Sequence, residues 1–242
     1  MNPPYNIKAT ADDLALRPSV NEAILHCYKN GYINSTSLLT NTIYFGDTIN
    51  LIRENNCIIN IGVHVNLAEG KPVSSFNQQN YLDENGNWDI QKTNKKFIIL
   101  NKSTKIAFFK EICAQIDKAL SVNISVVHLD SHYHLHTLPC FYNLFLQAAK
   151  QYKLKLRLAQ TYNEGNYIKF LYRKYINNKF KLNNNHYSDY FETVNRFLKN
   201  NKIYSNNEVV EIMLHPDLDP LGKLTDHFDP GTLSEWIIFL EK

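Results

Sequence analysis

No stretch of the sequence approaches the roughly 18 consecutive apolar residues of a membrane-spanning helix. The opening Met-Asn-Pro-Pro-Tyr-Asn-Ile-Lys also lacks the apolar run of a secretory signal, so the expectation is a soluble, cytoplasmic protein with no membrane partner. Cysteine is sparse: Cys27, Cys57, Cys113 and Cys140 lie apart in apolar surroundings with no Cys-x-x-Cys pair. That spacing argues against a thiolate zinc site and against a disulfide scaffold, and predicts core thiols. Charge of one sign is lacking too. The 26 basic and 23 acidic residues are dispersed and leave a net charge of only +3, which gives no electrostatic footprint for nucleic acid. Nor is there an internal repeat, a heptad pattern or a composition break that would divide 242 residues, so a single domain is expected.

What is present is an alternation of strand-like and helix-like segments. An extended run over Tyr5 to Thr10 leads into Ala11-Asp12-Asp13, and a helix opens at Pro18 and ends near Gly31, with proline and glycine at the ends where each is tolerated. Ile33 to Leu39 reads as a strand and Asp47 to Glu54 as a helix, and the apolar run from Cys57 to Val63 leads to His64. Residues 66 to 98 carry turn signals and little periodicity, and read as a lid, a binding loop or an ordinary surface loop. Ser103 to Leu120 predicts a helix with Ile106, Phe109, Ile112, Ile116 and Leu120 as its apolar stripe; Ile124 to Leu129 predicts a strand, and a helix follows Pro139. Leu154 to Leu158 alternates apolar and basic residues as a short strand does. Within the Tyr-, Lys- and Asn-rich residues 161 to 206, a helix is expected in Tyr190 to Leu198. Val209 to Leu214 is a further strand, ending in His215, and Thr232 to Leu240 a last helix. Strands that repeatedly end in ligand-capable residues fit an α/β parallel sheet or barrel, whose functional groups gather beyond the carboxyl ends of the strands.

The densest chemistry is in Val126 to His136, which holds four of the nine histidines. An extended backbone would put His132, His134 and His136 on one side, a candidate metal cage in which Asp130 either ligates or orients a ring. Asp12 and Asp13 cannot point the same way from a regular strand, so if both serve one site the backbone must turn around them. One Asp and two His with open positions suit a metal that activates water, and the other Asp and a separate His such as His215 suit the proton transfers. Arg157 reads either as a contact for an anion or a sugar hydroxyl or as an outward strand charge beside Lys155.

Four blocks then carry a resemblance. Ala11-Asp12-Asp13-Leu14-Ala15-Leu16, Ile61 to Leu67 with Gly70-Lys71-Pro72, His128 to His136, and Glu211 to Pro216 are similar, in that order, to the signature blocks of the YdjC-like carbohydrate deacetylases. The resemblance implies a distorted TIM-like (β/α) barrel, commonly a dimer, that removes the N-acetyl group from acetylated amino sugars or short chitooligosaccharides with one divalent ion, Mg2+ or Zn2+. Asp13, His64 and His132 would be the metal ligands, Asp12 the general base and His215 the assisting acid. Asp130, His134, His136 and Arg157 would then shape the pocket or orient the ligands. Leu14-Ala15 stands where the family pattern has Phe-Gly, a change expected to alter the turn. A metal-dependent phosphoesterase recruiting a second ion through His134 or His136, and a sugar-binding protein without turnover, are the alternatives.

Overall fold

The computed structural model describes residues 3–242 except Tyr5, Lys96, Phe97, Glu164 and Asn183. Among these residues, seven strands form one parallel sheet: β1 (Ile7–Leu14), β2 (Ser35–Leu38), β3 (Ile61–Val65), β4 (Val126–Ser131), β5 (Lys155–Leu156), β6 (Tyr190–Thr193) and β7 (Val210–Leu214). Their order is β5-β4-β3-β2-β1-β7-β6. The sheet curls until its edges meet. Leu156 bridges His186 in parallel, Tyr187 N donates to Leu156 O at 2.7 Å, and Thr161 N donates to Phe191 O at 3.1 Å. These bonds form a thin seam between β5 and the chain entering β6, giving the expected α/β architecture of a distorted TIM-like barrel.

Among the described residues, eight α-helices surround the sheet: α1 (Pro18–Lys29), α2 (Phe45–Glu54), α3 (Ile90–Thr93), α4 (Lys102–Ser121), α5 (Tyr142–Tyr152), α6 (Tyr167–Leu182), α7 (Val194–Asn200) and α8 (Thr232–Leu240). An antiparallel hairpin, β8 (Pro216–Leu218) and β9 (Leu224–Asp226), follows β7 and packs on α1. Period-two alternation sorts the strands' side chains. Ile7, Ala9 and Ala11 of β1 join Val210, Ile212 and Leu214 of β7 in an apolar core with α1, α2, α7 and α8. Val63 and Val65 join Phe108, Ile112 and Ile116 of α4 in a second. The intervening residues face the barrel interior, and nearly all are polar. Gly62 belongs there because the His128 ring fills the space of a side chain: a Cβ at residue 62 would lie 2.2 Å from His128 Nε2. Of the cysteines, Cys27 is buried, the other three are partly buried, and all four are free.

One expectation needs correction, the apolar stripe of α4, and another is met beside an unexpected strand. The helix expected within 190–198 is present as α7 from Val194, and an unexpected strand precedes it. Tyr190–Thr193 pairs with β7 from Tyr190↔Val210 to Thr193↔Met213, and this pairing overrides the local helical signal. The buried face of α4 is Phe108, Glu111, Ile112, Gln115, Ile116 and Ala119, while Ile106 and Leu120 are exposed. Two polar residues on that face hid the stripe, and both have partners. Glu111 accepts from the Val73 and Ser74 backbone N–H groups at 2.9 and 2.7 Å, and Gln115 bonds both backbone groups of Asn66 at 2.8 Å. These bonds anchor residues 66 to 74, and Phe76 and Trp88 pack on Phe108, so this stretch of the 66–98 loop is docked rather than free. Tyr5, assigned to the first strand, and Asn183 of the Asn-rich run lie outside the described residues, as do Lys96 and Phe97 of the loop. No helix among the described residues is long and apolar enough to cross a membrane.

Candidate metal centre and its charged floor

Both aspartates of β1 reach one site because the strand breaks its own period. Pairing with β2 shifts register between Ala11 and Leu14, and Asp13 takes a left-handed backbone conformation with φ 69°. Asp12 keeps its inward position while Asp13 turns to join it, and both are buried. Ala15 also lies in the left-handed region, at φ 76°. Here the family pattern's glycine would be unstrained, and an L residue costs about 1–2 kcal/mol. Asn21 Oδ1, accepting from Ala15 N at 2.8 Å, and Thr42 Oγ1, donating to Ala15 O at 2.7 Å, hold the turn.

Around Asp13 stand three imidazoles. His64, from the end of β3, places Nε2 3.3 Å from Asp13 Oδ1, and His132, just past β4, places Nδ1 2.8 Å from the same atom. His227 Nε2 lies 3.2 Å from Asp13 Oδ2. None of these contacts has hydrogen-bond geometry, and both Asp13 oxygens are buried without a hydrogen-bond partner among the described residues. The other nitrogen of each of the first two rings is already committed: His64 Nδ1 donates to Asp130 Oδ1 at 2.8 Å and His132 Nε2 to Glu69 Oε1 at 3.0 Å. With those protons fixed, the remaining nitrogens face a carboxylate oxygen, which is favourable only with a proton or a metal cation between them. Asp13, His64 and His132 therefore fit a divalent ion, with ligand atoms all within 4.8 Å of one another.

The electrostatics agree. Burial pushes the His64 imidazole down, but Asp130, Asp12 and Asp13 outweigh it and raise its pKa to about 10. His132 is raised too, against its own burial, chiefly by Asp13. Burial pushes the Asp13 carboxyl up, yet His132, with help from His227 and His64, holds it well below the usual range. The site concentrates negative potential at the place where a metal would compete with protons.

A second acidic group, Asp12 with His64 and Asp130, also has the spacing of a metal site, but a protein cation already spans it. Arg157, 0% exposed, donates from Nη1 and Nη2 to the two oxygens of Asp12 at 2.6 and 2.7 Å. The same Nη1 lies 2.7 Å from Asp130 Oδ2, and Nε donates to Glu211 Oε1 at 2.8 Å. Ser37 completes Asp130 with a bond of 2.7 Å. Neither reading of Arg157 from its strand alone holds: the side chain is neither an outward charge nor open to a sugar, but points inward because β5 alternates and Leu156 and Leu158 take the outer face.

The late histidine also lies near Asp12, at the oxygen that Arg157 Nη1 holds. His215 Nε2 is 4.0 Å from Asp12 Oδ2, and its backbone N–H donates to Asp226 Oδ2 at 2.8 Å. Burial lowers its pKa, with the neighbouring aspartates opposing. The β8–β9 hairpin carries Asp226 and His227 back over the site, and Arg17 ion-pairs with Asp217 at its base.

The three-histidine cage does not form. The chain leaves the strand at Ser131 and enters a 3-10 turn in which Tyr133 and His134 have φ 53° and 54°, so the alternate residues no longer share a side. Only His132 reaches Asp13. His136 bonds Ser131 Oγ through Nδ1 at 2.8 Å, and His134 packs against Phe191. Burial lowers both imidazoles, His134 to about 3, as expected of neutral rings away from an ion. Sequence reasoning missed Glu69, Glu211, Asp226 and His227. Glu211 shares the face of β7 that His215 follows, a signal alternation offered; His227 becomes visible only when the hairpin folds back.

Three comparisons bear on this geometry. Residues 7–235 match the family model described as YdjC-like protein. A carbohydrate deacetylase of Thermoanaerobacter pseudethanolicus is 32% identical over 61% of this chain and 57% of its own length. One from Clostridium beijerinckii is 28% identical over 65% and 61%, so the chain spans less than two thirds of either relative. Carbohydrate deacetylase 1 of Listeria innocua is 26% identical over 91% of this chain and 85% of its own. Among solved structures, an Enterococcus faecalis protein named for a proposed role in cellobiose-phosphate cleavage aligns over 89% of this chain and 82% of its own, with a TM-score of 0.70 and 22% identity, a likeness of fold.

Proposed function

The chain belongs to the YdjC-like family, and from that premise we propose that it is a metal-dependent carbohydrate deacetylase. Its substrates would be acetylated amino sugars or short chitooligosaccharides, cleaved to acetate and a free sugar amine. One observation carries this reading: two imidazoles with fixed tautomers aim their free nitrogens at the unpartnered carboxylate of Asp13, directly beside an Asp12 held by Arg157.

A divalent ion held by Asp13, His64 and His132 would polarise the acetamide carbonyl and acidify a water. Two imidazole nitrogens favour zinc over magnesium, which prefers oxygen donors. Asp12 accepts the proton of the attacking water, and the Arg157 fork fixes the direction in which its oxygens can do so. His215, with Nε2 4.0 Å from Asp12 Oδ2, donates a hydrogen bond to the reacting amide and carries a proton to the departing nitrogen. Asp130 and Glu69 keep the ligand imidazoles in their tautomers.

A phosphoesterase reading with two ions is less well supported, because the second acidic group is occupied by Arg157 and His134 and His136 face away. The test is acetate release from N,N'-diacetylchitobiose and a panel of acetylated amino sugars. Release abolished by chelation and by Asp12→Asn is expected; a metal-replete protein that releases none from any sugar would overturn the reading.

A further inference from the structure

Two aromatic rings lie open to solvent beside the candidate centre. Tyr133 is 47% exposed and its ring is 4.3 Å from that of His132, inclined at 62°. Phe228 is 56% exposed, with ring centroids 4.3 Å from His215 at 63° and 4.8 Å from His227. His132 faces Oδ1 of Asp13 and His227 faces Oδ2, so contacts run from Tyr133 through His132, Asp13 and His227 to Phe228. Each ring is thus one imidazole removed from the carboxylate, at a different oxygen.

Isolated exposed hydrophobic residues are ordinary, but the backbone under each of these is fixed. Tyr133 occupies the left-handed region at φ 53°, unfavourable for a bulky side chain, and strain of this kind gathers at functional sites. Phe228 sits on a turn closed by Asp226 Oδ1, which accepts from Phe228 N at 3.0 Å and Asp229 N at 3.1 Å. Solvent-open rings on locked supports suit a ligand with an apolar face and a polar rim. A pyranose is such a ligand: its axial C–H bonds are attracted to the negative face of an aromatic ring, and its hydroxyls stay free for hydrogen bonds.

We propose that Tyr133 and Phe228 are the specificity-determining walls of the sugar subsite, gripping pyranose rings on either flank of Asp13 so that the acetamide is delivered between them. This rests on the deacetylase reading and gives Tyr133, within the third signature block, and Phe228, outside the blocks, a role that neither the resemblance nor the metal geometry assigned. The test is a KM-against-kcat split on N,N'-diacetylchitobiose, with metal content measured in parallel. Tyr133→Ala and Phe228→Ala should each raise KM roughly fivefold to tenfold, leave kcat within about threefold, and keep the wild-type ion content. Tyr133→Phe and Phe228→Trp should recover most of the KM. Unchanged KM in both alanine variants, or lost ion content with unchanged KM, would overturn the proposal. A wild-type protein that releases no acetate would defeat the deacetylase reading alone. Calorimetric binding of chitobiose then decides on the rings: wild-type binding weakened by either alanine variant sustains them, and absent or undisturbed binding overturns them.

Discussion

The two faces of the barrel sheet are built from alternate residues of the same strands and obey different rules. On β1, Ile7, Ala9 and Ala11 face the helices and are held by dispersion and water exclusion, which are non-directional and tolerate substitution by volume. One residue over, Lys8 and Asp12 face a lumen where each charge has a defined partner: Lys8 with the Tyr187 carbonyl at 2.7 Å, Asp12 with Arg157. A buried charge is tolerated only when paired, so the lumen specifies particular atoms where the outer face specifies only size. The outer face gives the barrel its stability, and the lumen gives the site its direction.

The comparison is broken most severely at Arg157. Arg157→Met leaves Asp12, Asp130 and Glu211 buried around an apolar side chain, and should cost about 3–5 kcal/mol in denaturant unfolding together with nearly all acetate release. Arg157→Lys restores charge but not the fork, and should recover stability better than turnover. The outer face should answer differently. Ile212→Ala removes a buried side chain from β7 and should cost about 2–5 kcal/mol of stability, while kcat per folded molecule stays near wild type. A large fall in kcat there would show that the faces are not independent.

Acid separates them more gently. Burial lowers His128 to about 3 from an ordinary 6.5, with Arg157 also lowering it and Asp130 opposing. Below pH 6.5 the unfolded chain takes up a proton that the folded ring refuses, so stability should fall as pH drops from 6.5 toward 3, by up to about 1.4 kcal/mol per pH unit for this group. His128→Gln should flatten that limb in pH-dependent urea unfolding; an unchanged slope would remove His128 as its source. The smallest effect is expected at Ala15, where Ala15→Gly relieves the left-handed backbone and should raise stability by roughly 1 kcal/mol, less the added freedom of the unfolded chain.

The sequence made the outer face legible, because apolar alternation and helix ends are local signals: α8 falls at Thr232–Leu240, as expected, and α1 begins at Pro18. Candidate residues for the centre were visible as ligand-capable side chains near the ends of apolar runs, but the choice of Asp13, His64 and His132 came only from the family resemblance, since spacing alone favoured His132, His134 and His136. What stayed hidden depends on direction and distance. Nothing local says that the chain turns left-handed at Tyr133 and so withdraws His134 and His136, or that Arg157 points inward. His227 joins Asp13 across 214 residues through a hairpin with no long-range signature. The Tyr190–Thr193 strand was concealed because pairing with β7, not propensity, makes it a strand.

The central claim is that Asp13, His64 and His132 together hold one divalent ion. Elemental analysis of the purified protein beside Asp13→Ala, both shown folded by circular dichroism, tests it most directly. The account predicts close to one zinc per chain in the wild type and almost none in the variant. Equal ion content in the two proteins would contradict it.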